Sequence, residues 1–182
     1  AVLDSRLDLH RCRCADLALV MITATNQATS AEVNEVFKVT SSLVELTPRR
    51  LDTLQKLARE GRLVLIHSEG ELAGWAAVER LTRNLSELGM VYIKPEHRSA
   101  KAFDTLIKEI ARRPERMLLA TYSSVIMRYA GKVWKSHEIT LAKAIWISRG
   151  RFLTKRLNPE SRESIQGRMT SATPRYALIE RQ

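Results

Sequence analysis

The sequence predicts one mixed α/β domain (α+β type) whose largely antiparallel sheet is flanked by helices. The chain has 182 residues, a length that suits a single compact domain. Hydrophobic residues make up 45% of it and charged residues 27%, so there is enough apolar side chain for a core. Segments with helical spacing of apolar residues also alternate with short apolar runs that are typical of strands.

The first third of the chain predicts one strand and two helices. The apolar run 17–23 predicts the strand. Thr29-Ser-Ala-Glu32 has the spacing of a capping box, in which the hydroxyl and the carboxylate bind free amides at the start of a helix. Thr47-Pro48 predicts the start of the second helix, with Thr47 as the N-cap, and Gly61 predicts its end.

The middle of the chain predicts three consecutive antiparallel strands. Apolar segments over 62–67 and 72–81 flank Ser68-Glu-Gly-Glu71, which is typical of a tight hairpin turn. A polar stretch over 82–87 predicts a loop, and Leu88–Ile93 predicts the next strand.

The rest of the domain predicts two helices and three strands. Apolar residues recur at helical spacing over 102–111, and a strand over 117–121 follows. The strand-helix-strand order implies one parallel pair of strands. A short helix ends near Gly131, and segments 139–147 and 152–157 predict a closing hairpin.

The composition predicts three parts and a reducing, cytoplasmic setting. An N-terminal segment over 1–16 leads into a domain over 17–157, and an Arg-rich tail over 158–182 forms a peripheral helix or a mobile segment. Cys12 and Cys14 are too close for a disulfide framework and lack the partners of a tetrahedral metal site, so we expect no metal. No apolar run approaches the ~20 residues that cross a bilayer, so we expect no membrane anchor.

The chain is strongly basic. Lys and Arg number 30 against 20 Asp and Glu, a formal net charge of +10, which favours anionic partners. Basic side chains are dense near the predicted closing hairpin, at Arg149, Arg151, Lys155 and Arg156. They form either a solvated face or an electrostatic path for an RNA such as a charged tRNA.

The segment Glu87-Leu-Gly-Met-Val-Tyr-Ile-Lys-Pro-Glu-His-Arg98, followed by an amphipathic helix, resembles the central motif of the Gcn5-related N-acetyltransferases (GNAT family). Met127-Arg-Tyr129-Ala-Gly-Lys-Val-Trp134 is similar to the family's helix after the fifth strand. The resemblance covers residues 30–157 and implies an acyl-CoA-binding domain over 17–157.

The resemblance implies that acetyl-CoA is the cosubstrate. In the family, the strand backbone that matches Val91, Tyr92 and Ile93 pairs with the pantetheine arm. The following turn and helix N-terminus bind the pyrophosphate through outward-pointing amides. The residues at that turn are Arg98, Ser99, Ala100, Lys101, Ala102 and Phe103.

This turn departs from the family pattern because it contains no glycine. Glycine lets the backbone approach a phosphate closely, whereas Lys101 and Phe103 add bulk. Either Lys101 supplies a point charge to a phosphate held slightly farther away, or the pocket is closed and the fold serves another purpose.

The resemblance implies roles for two side chains and one amide. Glu87 matches the general base and Tyr129 matches the acid that protonates the coenzyme A thiolate, while the Ile93 amide polarises the thioester carbonyl. The alternatives are a solvated loop carboxylate for Glu87 and a core tyrosine for Tyr129.

Two functions follow. The first is transfer of an acetyl group from acetyl-CoA to a primary amine on a peptide, an aminoacyl-tRNA or a small molecule. The second is a non-catalytic GNAT-like module that binds nucleic acid or a protein partner through its basic surface. A homodimer is compatible with both.

Overall fold

The computed structural model describes residues 21–43, 46, 49–156 and 173–180. The described part of the chain forms a sheet with helices on both faces. In chain order its elements are β1 (Ile22–Thr25), α1 (Ser30–Ser42), α2 (Leu51–Arg59), β2 (Leu63–Ser68), β3 (Glu71–Thr82), β4 (Leu85–Ile93), α3 (Ala100–Ala111), β5 (Arg116–Thr121), α4 (Ser124–Val133), β6 (Ser136–Ile139), α5 (Leu141–Ile147), α6 (Arg151–Arg156) and β7 (Arg175–Ile179).

The seven strands lie in the order β1-β2-β3-β4-β5-β7-β6. All neighbouring pairs are antiparallel except β4 and β5, which are parallel. The predicted fold class, the β2–β3 hairpin and the single parallel pair are therefore confirmed.

The sheet has two covered faces. On one face, α1 and α2 bury an apolar cluster that includes Trp75 and Leu54, both fully buried. On the other face, α3 and α4 cover a larger cluster that includes Leu88 and Leu106. A third cluster, built around the fully buried Phe152 of α6, lies under α5 and α6.

Several local signals of the sequence are confirmed. The Thr29 hydroxyl accepts from the Glu32 amide at 3.3 Å and the Glu32 carboxylate accepts from the Thr29 amide at 2.7 Å, so the capping box is complete. Gly61 follows α2 with φ of +62°, a left-handed conformation that glycine adopts without steric cost. Ser123 caps α4, although that helix continues past Gly131 to Val133.

Two boundaries differ from the predicted ones. Helix α2 begins at Leu51 with Arg50 as its N-cap, so Thr47 is not the cap; Thr47 and Pro48 lie outside the described residues. Strand β4 begins at Leu85 because a two-residue turn at Arg83-Asn84 replaces the longer predicted loop.

The predicted closing hairpin over 139–147 and 152–157 is wrong, because most of these residues form α5 and α6. Thr140 caps α5 by accepting from the Lys143 amide at 3.2 Å. The chain leaves α5 at Gly150, whose φ is +76° and whose amide donates to the Ile145 carbonyl at 2.8 Å. Burial of Ala144 and Phe152 against the sheet outweighs the strand propensity of the Ile-rich segment.

The expectation of a peripheral C-terminal tail is wrong for residues 175–179. They form β7, which lies inside the sheet between β5 and β6 and is antiparallel to both. Ala177, Leu178 and Ile179 are buried there. Pairing on both sides supplies the stability that this short apolar run lacks on its own.

Close approach of β3 to β4 requires a glycine at position 74. A Cβ built there would lie 2.5 Å from the Tyr92 carbonyl oxygen and 3.0 Å from the Ile93 Cα. Both neighbours are backbone atoms, which do not move aside as a flexible side chain does. Gly74 therefore fixes the distance between β3 and the last residues of β4.

We expect Gly74→Ala to lower the free energy of unfolding by about 1–3 kcal/mol, because the added methyl overpacks the strand pair. Gly89→Ala is the matched control, because no heavy atom lies within 4 Å of the Cβ built at Gly89. Its effect should stay within about 0.5 kcal/mol. Urea unfolding of the three proteins measures both values, and equal midpoints for the two variants would contradict the close approach.

Candidate active site

The parallel strands β4 and β5 separate partway along their length. Their last paired residues are Leu88 and Leu119, and the rest of β4 has no partner on that side within the described ladder. On its other side, β4 contains an extra residue, because Ala77 pairs with Gly89 whereas Trp75 pairs with Tyr92. The bulge and the separation together open a notch between β4 and β5.

The bulge changes which way the β4 side chains point. Met90 has φ of +53°, and its side chain packs with the cluster under α1 and α2. Leu88 and Val91 pack on the opposite face, under α3 and α4. Gly89 and Met90 therefore both belong to the α1–α2 face, and the β4 backbone turns where the notch begins.

The end of β4 directs backbone groups into this notch. The Lys94 amide donates to the Ala73 carbonyl of β3 at 2.9 Å. Amides alternate in direction along a strand, so the Ile93 amide points to the opposite edge, toward the notch. On that edge the Arg98 Nε donates to the Ile93 carbonyl at 3.2 Å, which holds the Arg98 guanidinium beside the open strand.

The turn after β4 leads into α3 through a short 3-10 segment over 95–97. Ser99 is the N-cap of α3, and its hydroxyl accepts from the Ala102 amide at 3.1 Å. The Phe103 amide donates to the Ser99 carbonyl at 3.2 Å. Arg98, Ala100 and Lys101 are exposed, whereas Ala102 is fully buried. The turn thus exposes two cationic side chains at the N-terminal end of a helix dipole.

Tyr129 of α4 packs against the first turn of α3. Its ring contacts Phe103 edge to face, with ring centroids 4.5 Å apart. Its hydroxyl donates to Asp104 Oδ1 at 2.9 Å, while Lys108 contacts the other Asp104 oxygen at 2.5 Å. Burial and the hydrogen bond to Asp104 raise the pKa of the Tyr129 phenol. The phenol therefore keeps its proton at neutral pH.

Glu87 lies inside β4, on the opposite face from Tyr129. It is 5% exposed and pairs across the strands with Glu79 of β3. The two carboxylates project from the face that carries α1, α2, α5 and α6, between the apolar cluster under the first helix pair and that under the second. Glu87 is a partly enclosed carboxylate rather than the solvated loop residue of the alternative prediction.

Cations reach this carboxylate pair from both sides. Arg49, which precedes α2, contacts Glu79 Oε1 at 3.0 Å. Lys155 of α6 contacts Glu87 Oε2 at 3.0 Å and also contacts Glu79 Oε2. These ion pairs offset the cost of placing two carboxylates side by side away from bulk water.

The structure brings some of the sequence-predicted residues together and separates others. Val91, Ile93, Phe103 and Tyr129 share the apolar cluster under α3 and α4, beside the notch. Tyr92 packs on the other face against Trp75, with ring centroids 4.8 Å apart. Glu87 and Tyr129 flank the notch from opposite faces of the sheet.

Three residues of this site were missed by sequence reasoning: Arg49, Glu79 and Lys155. Glu79 had only a partial signal, because the two-residue turn at Arg83-Asn84 pairs Thr82 with Leu85, and Glu79 faces Glu87 only after a register shift between Arg80 and Thr82. Arg49 and Lys155 had none, since they reach the site through tertiary packing of segments far away in sequence.

One cavity described in the structure lies elsewhere. It has a volume of about 570 Å³ and is lined by residues between β1 and α2, including Asn26, Ser30, Gln55 and Arg59. None of the sequence-predicted site residues lines it. The notch is a groove at a strand edge rather than an enclosed pocket, so cavity volume is a poor guide to it.

Within the described ranges, no group of three or more His, Cys, Asp or Glu side chains is placed to bind a metal, and Cys12 and Cys14 lie outside these ranges. None of the described helices is both long and apolar enough to cross a membrane.

A seven-stranded, mostly antiparallel sheet with one parallel pair that separates at a β-bulge is the GNAT fold. Comparison with solved structures confirms this fold. No protein-family model matches the sequence, and no curated protein sequence matches it.

The structural neighbours include Rv2747 from Mycobacterium tuberculosis, in complex with CoA and NLQ. It has a TM-score of 0.60 and 14% identity, over 87% of this chain and 97% of that chain. Diaminobutyrate acetyltransferase EctA from Paenibacillus lautus, in complex with L-2,4-diaminobutyric acid and coenzyme A, has a TM-score of 0.59 and 10% identity. The match covers 89% of this chain and 96% of that chain. N-acetylglutamate synthase from Neisseria gonorrhoeae, complexed with coenzyme A and N-acetyl-glutamate, has a TM-score of 0.57 and 10% identity. The match covers 89% of this chain and 35% of that chain.

We expect Asp104→Asn to lower the pKa of the Tyr129 phenol toward the ordinary tyrosine value, because the anion that favours the protonated phenol is removed. Part of the shift should remain, since burial also raises this pKa. Absorbance titration of tyrosinate measures it, with each protein compared with its Tyr129→Phe counterpart to isolate one phenol. An unchanged titration would contradict the Asp104 contact.

Proposed function

We propose that this protein is an N-acetyltransferase that transfers an acetyl group from acetyl-CoA to a primary amine. The observation that carries the proposal is the notch between β4 and β5, where β4 separates from its partner after Leu88 and its Ile93 amide points to the open edge. A strand edge of this kind can pair with an extended ligand as an added strand does. Neighbours of the same fold that were crystallised with coenzyme A give further support.

The positive charge of the turn after β4 suits the anionic pyrophosphate of acetyl-CoA. Arg98 and Lys101 are exposed beside the N-terminus of α3, where the helix dipole favours anions. The Ser99 hydroxyl already binds the Ala102 amide of the first turn, so side-chain cations have to supply more of the attraction for an anion.

Glu87 is the proposed general base. Glu87 lies two residues before Gly89, where the notch opens. The two residues belong to the same face of the sheet, and the space that a side chain at position 89 would occupy is open. An acceptor amine arrives as an ammonium and has to lose a proton before its lone pair attacks the thioester carbonyl. Glu87 accepts that proton, and the Ile93 amide stabilises the developing oxyanion.

Tyr129 is the proposed acid. It approaches the notch from the α3–α4 face, opposite Glu87. The departing thiolate takes the phenolic proton. The Tyr129 hydroxyl has to break its hydrogen bond to Asp104 for this transfer. A raised pKa suits this role, because an acid has to hold its proton until the leaving group develops charge.

A second candidate function is binding of nucleic acid through the α5–α6 surface. The structure adds an observation that favours it, because Trp146 is 78% exposed on α5 and lies close in sequence to the exposed Lys143 and Arg149. An exposed aromatic ring among cations suits base stacking on a single strand. Salt-dependent quenching of tryptophan fluorescence by single-stranded RNA, lost in Trp146→Ala, would support this function.

We expect excess acetyl-CoA to raise the thermal unfolding midpoint. A ligand that binds only the native state adds about 2.7 kcal/mol of stability at a hundredfold excess over Kd. Lys101→Ala should show a smaller increase, and Lys143→Ala on α5 is the matched control. A folded protein whose midpoint does not change would contradict acetyl-CoA binding and favour the second candidate.

We expect Glu87→Gln to reduce acetyl transfer to a panel of primary amines by about a hundredfold or more, the usual contribution of a general base. Tyr129→Phe should reduce the rate in the same direction while acetyl-CoA still binds. Release of free thiol measures turnover, and thermal shift verifies that each variant is folded and binds the cosubstrate. Unchanged turnover in both variants would remove the assigned roles but leave acetyl-CoA binding intact.

A further inference from the structure

Helix α6 is held firmly against the sheet. Phe152 is fully buried in the cluster under α5 and α6. The Arg151 guanidinium donates to the Leu81 carbonyl at the end of β3, at 2.9 Å. These two contacts fix the helix backbone, and Lys155 projects from it toward the middle of β3 and β4.

The Lys155 ammonium contacts the carboxylate of Glu87, the proposed general base. Its Nζ is 3.0 Å from Glu87 Oε2 and also contacts Glu79 Oε2, and its side chain is 23% exposed. A lysine side chain more commonly extends into solvent. Here the side chain turns inward and occupies the space next to the Glu87 carboxylate.

An acetyl acceptor has to reach the space next to the Glu87 carboxylate. A general base takes a proton from a group within hydrogen-bond distance, about 2.6–3.2 Å between heavy atoms. Lys155 is a primary amine that already meets this condition with Glu87. The notch opens at Gly89, which is two residues farther along β4 and belongs to the same face as Glu87.

We propose that Lys155 is itself an acetyl acceptor, so that the protein acetylates its own α6. This inference rests on the proposed function, because acetyl-CoA is the acetyl donor. It goes beyond that function by assigning one acceptor amine to a residue of this chain.

Glu87 takes one proton from the Lys155 ammonium, and the nitrogen lone pair forms a bond to the acetyl carbonyl carbon. The carbon–sulfur bond breaks, and its electron pair leaves with the sulfur. Tyr129 gives its phenolic proton to the sulfur, and the second proton of the nitrogen returns through solvent to the Tyr129 phenolate. Glu87 then releases its proton to solvent. The products are Nε-acetyl-Lys155, coenzyme A and one proton released to solvent.

Acetylation changes the charge of the carboxylate cluster. The amide product carries no charge, so the ion pairs of Lys155 with Glu79 and Glu87 are lost. Arg49 still contacts Glu79. Glu87 then faces a neutral group in place of an ammonium, which leaves its carboxylate available to an external amine.

The test incubates the full chain with acetyl-CoA and maps the modified lysines by peptide mass spectrometry over time. We expect Lys155 to acquire one acetyl group faster than the exposed Lys143 of the neighbouring helix α5. The first-order rate constant should not change with protein concentration, since the transfer occurs within one molecule. Glu87→Gln should reduce the rate at Lys155 by about a hundredfold and leave the slow chemical acetylation of Lys143 unchanged.

Lys155→Arg and Lys143→Arg are the matched pair of variants. Lys155→Arg keeps a positive charge beside Glu87 and should abolish enzymatic self-acetylation. Lys143→Arg should not affect it. Thermal shift with acetyl-CoA is measured on the same samples. A protein that binds acetyl-CoA and acetylates free amines but leaves Lys155 unmodified would overturn this inference alone.

Two other outcomes also overturn the inference. Equal acetylation rates at Lys155 and Lys143, with no effect of Glu87→Gln, would mean chemical acetylation only. Failure to bind acetyl-CoA, with Lys155 unmodified, would overturn the proposed function and the self-acetylation together. The binding measurement therefore separates the two failures.

Discussion

The pairing of β4 with β5, which ends at Leu88 and Leu119, is the constraint on which the rest of the structure depends. A buried polar contact secures the closed end of this pair. Arg62, 6% exposed, donates to Ser86 at 3.2 Å and contacts Glu115, just before β5, at 3.1 Å. Because charged groups are costly to leave unpaired in the interior, this end of the ladder stays closed. The bulge at Met90 then directs β4 away from β5, and the notch follows.

The carboxylate pair shows how packing sets the charge of the candidate site. Glu79 and Glu87 face each other on one side of the sheet, where two like charges repel. Arg49 relieves that repulsion from the segment before α2, and Lys155 relieves it from α6. The same ion pairs therefore hold the flanking helices on the sheet and set the charge around Glu87. A change in either cation therefore alters both the packing of these segments and the charge around Glu87.

The start of α3 combines apolar packing with exposed cationic side chains. Ala102 is fully buried and Phe103 packs against Tyr129, so this turn adds to the core under α3 and α4. A glycine-rich turn would expose more backbone amide to an anion but bury less apolar surface. Here the attraction for an anion shifts to the exposed Arg98 and Lys101, whose longer side chains act as point charges.

The sequence by itself determined the elements whose signals are local. Three confirmed features depend on residues a few positions apart: the capping box at Thr29, the stop at Gly61 and the β2–β3 hairpin. The single parallel pair, also confirmed, follows from the order of successive elements. The motif over 87–98 likewise indicated the fold. Only the tertiary structure decided the rest. Strand β7 exists because β5 and β6 pair with it, and α5 and α6 are helices because their apolar side chains cover the sheet. Lys155 and Arg49 reach Glu79 and Glu87 from positions tens of residues apart, and no local pattern encodes such long-range contacts.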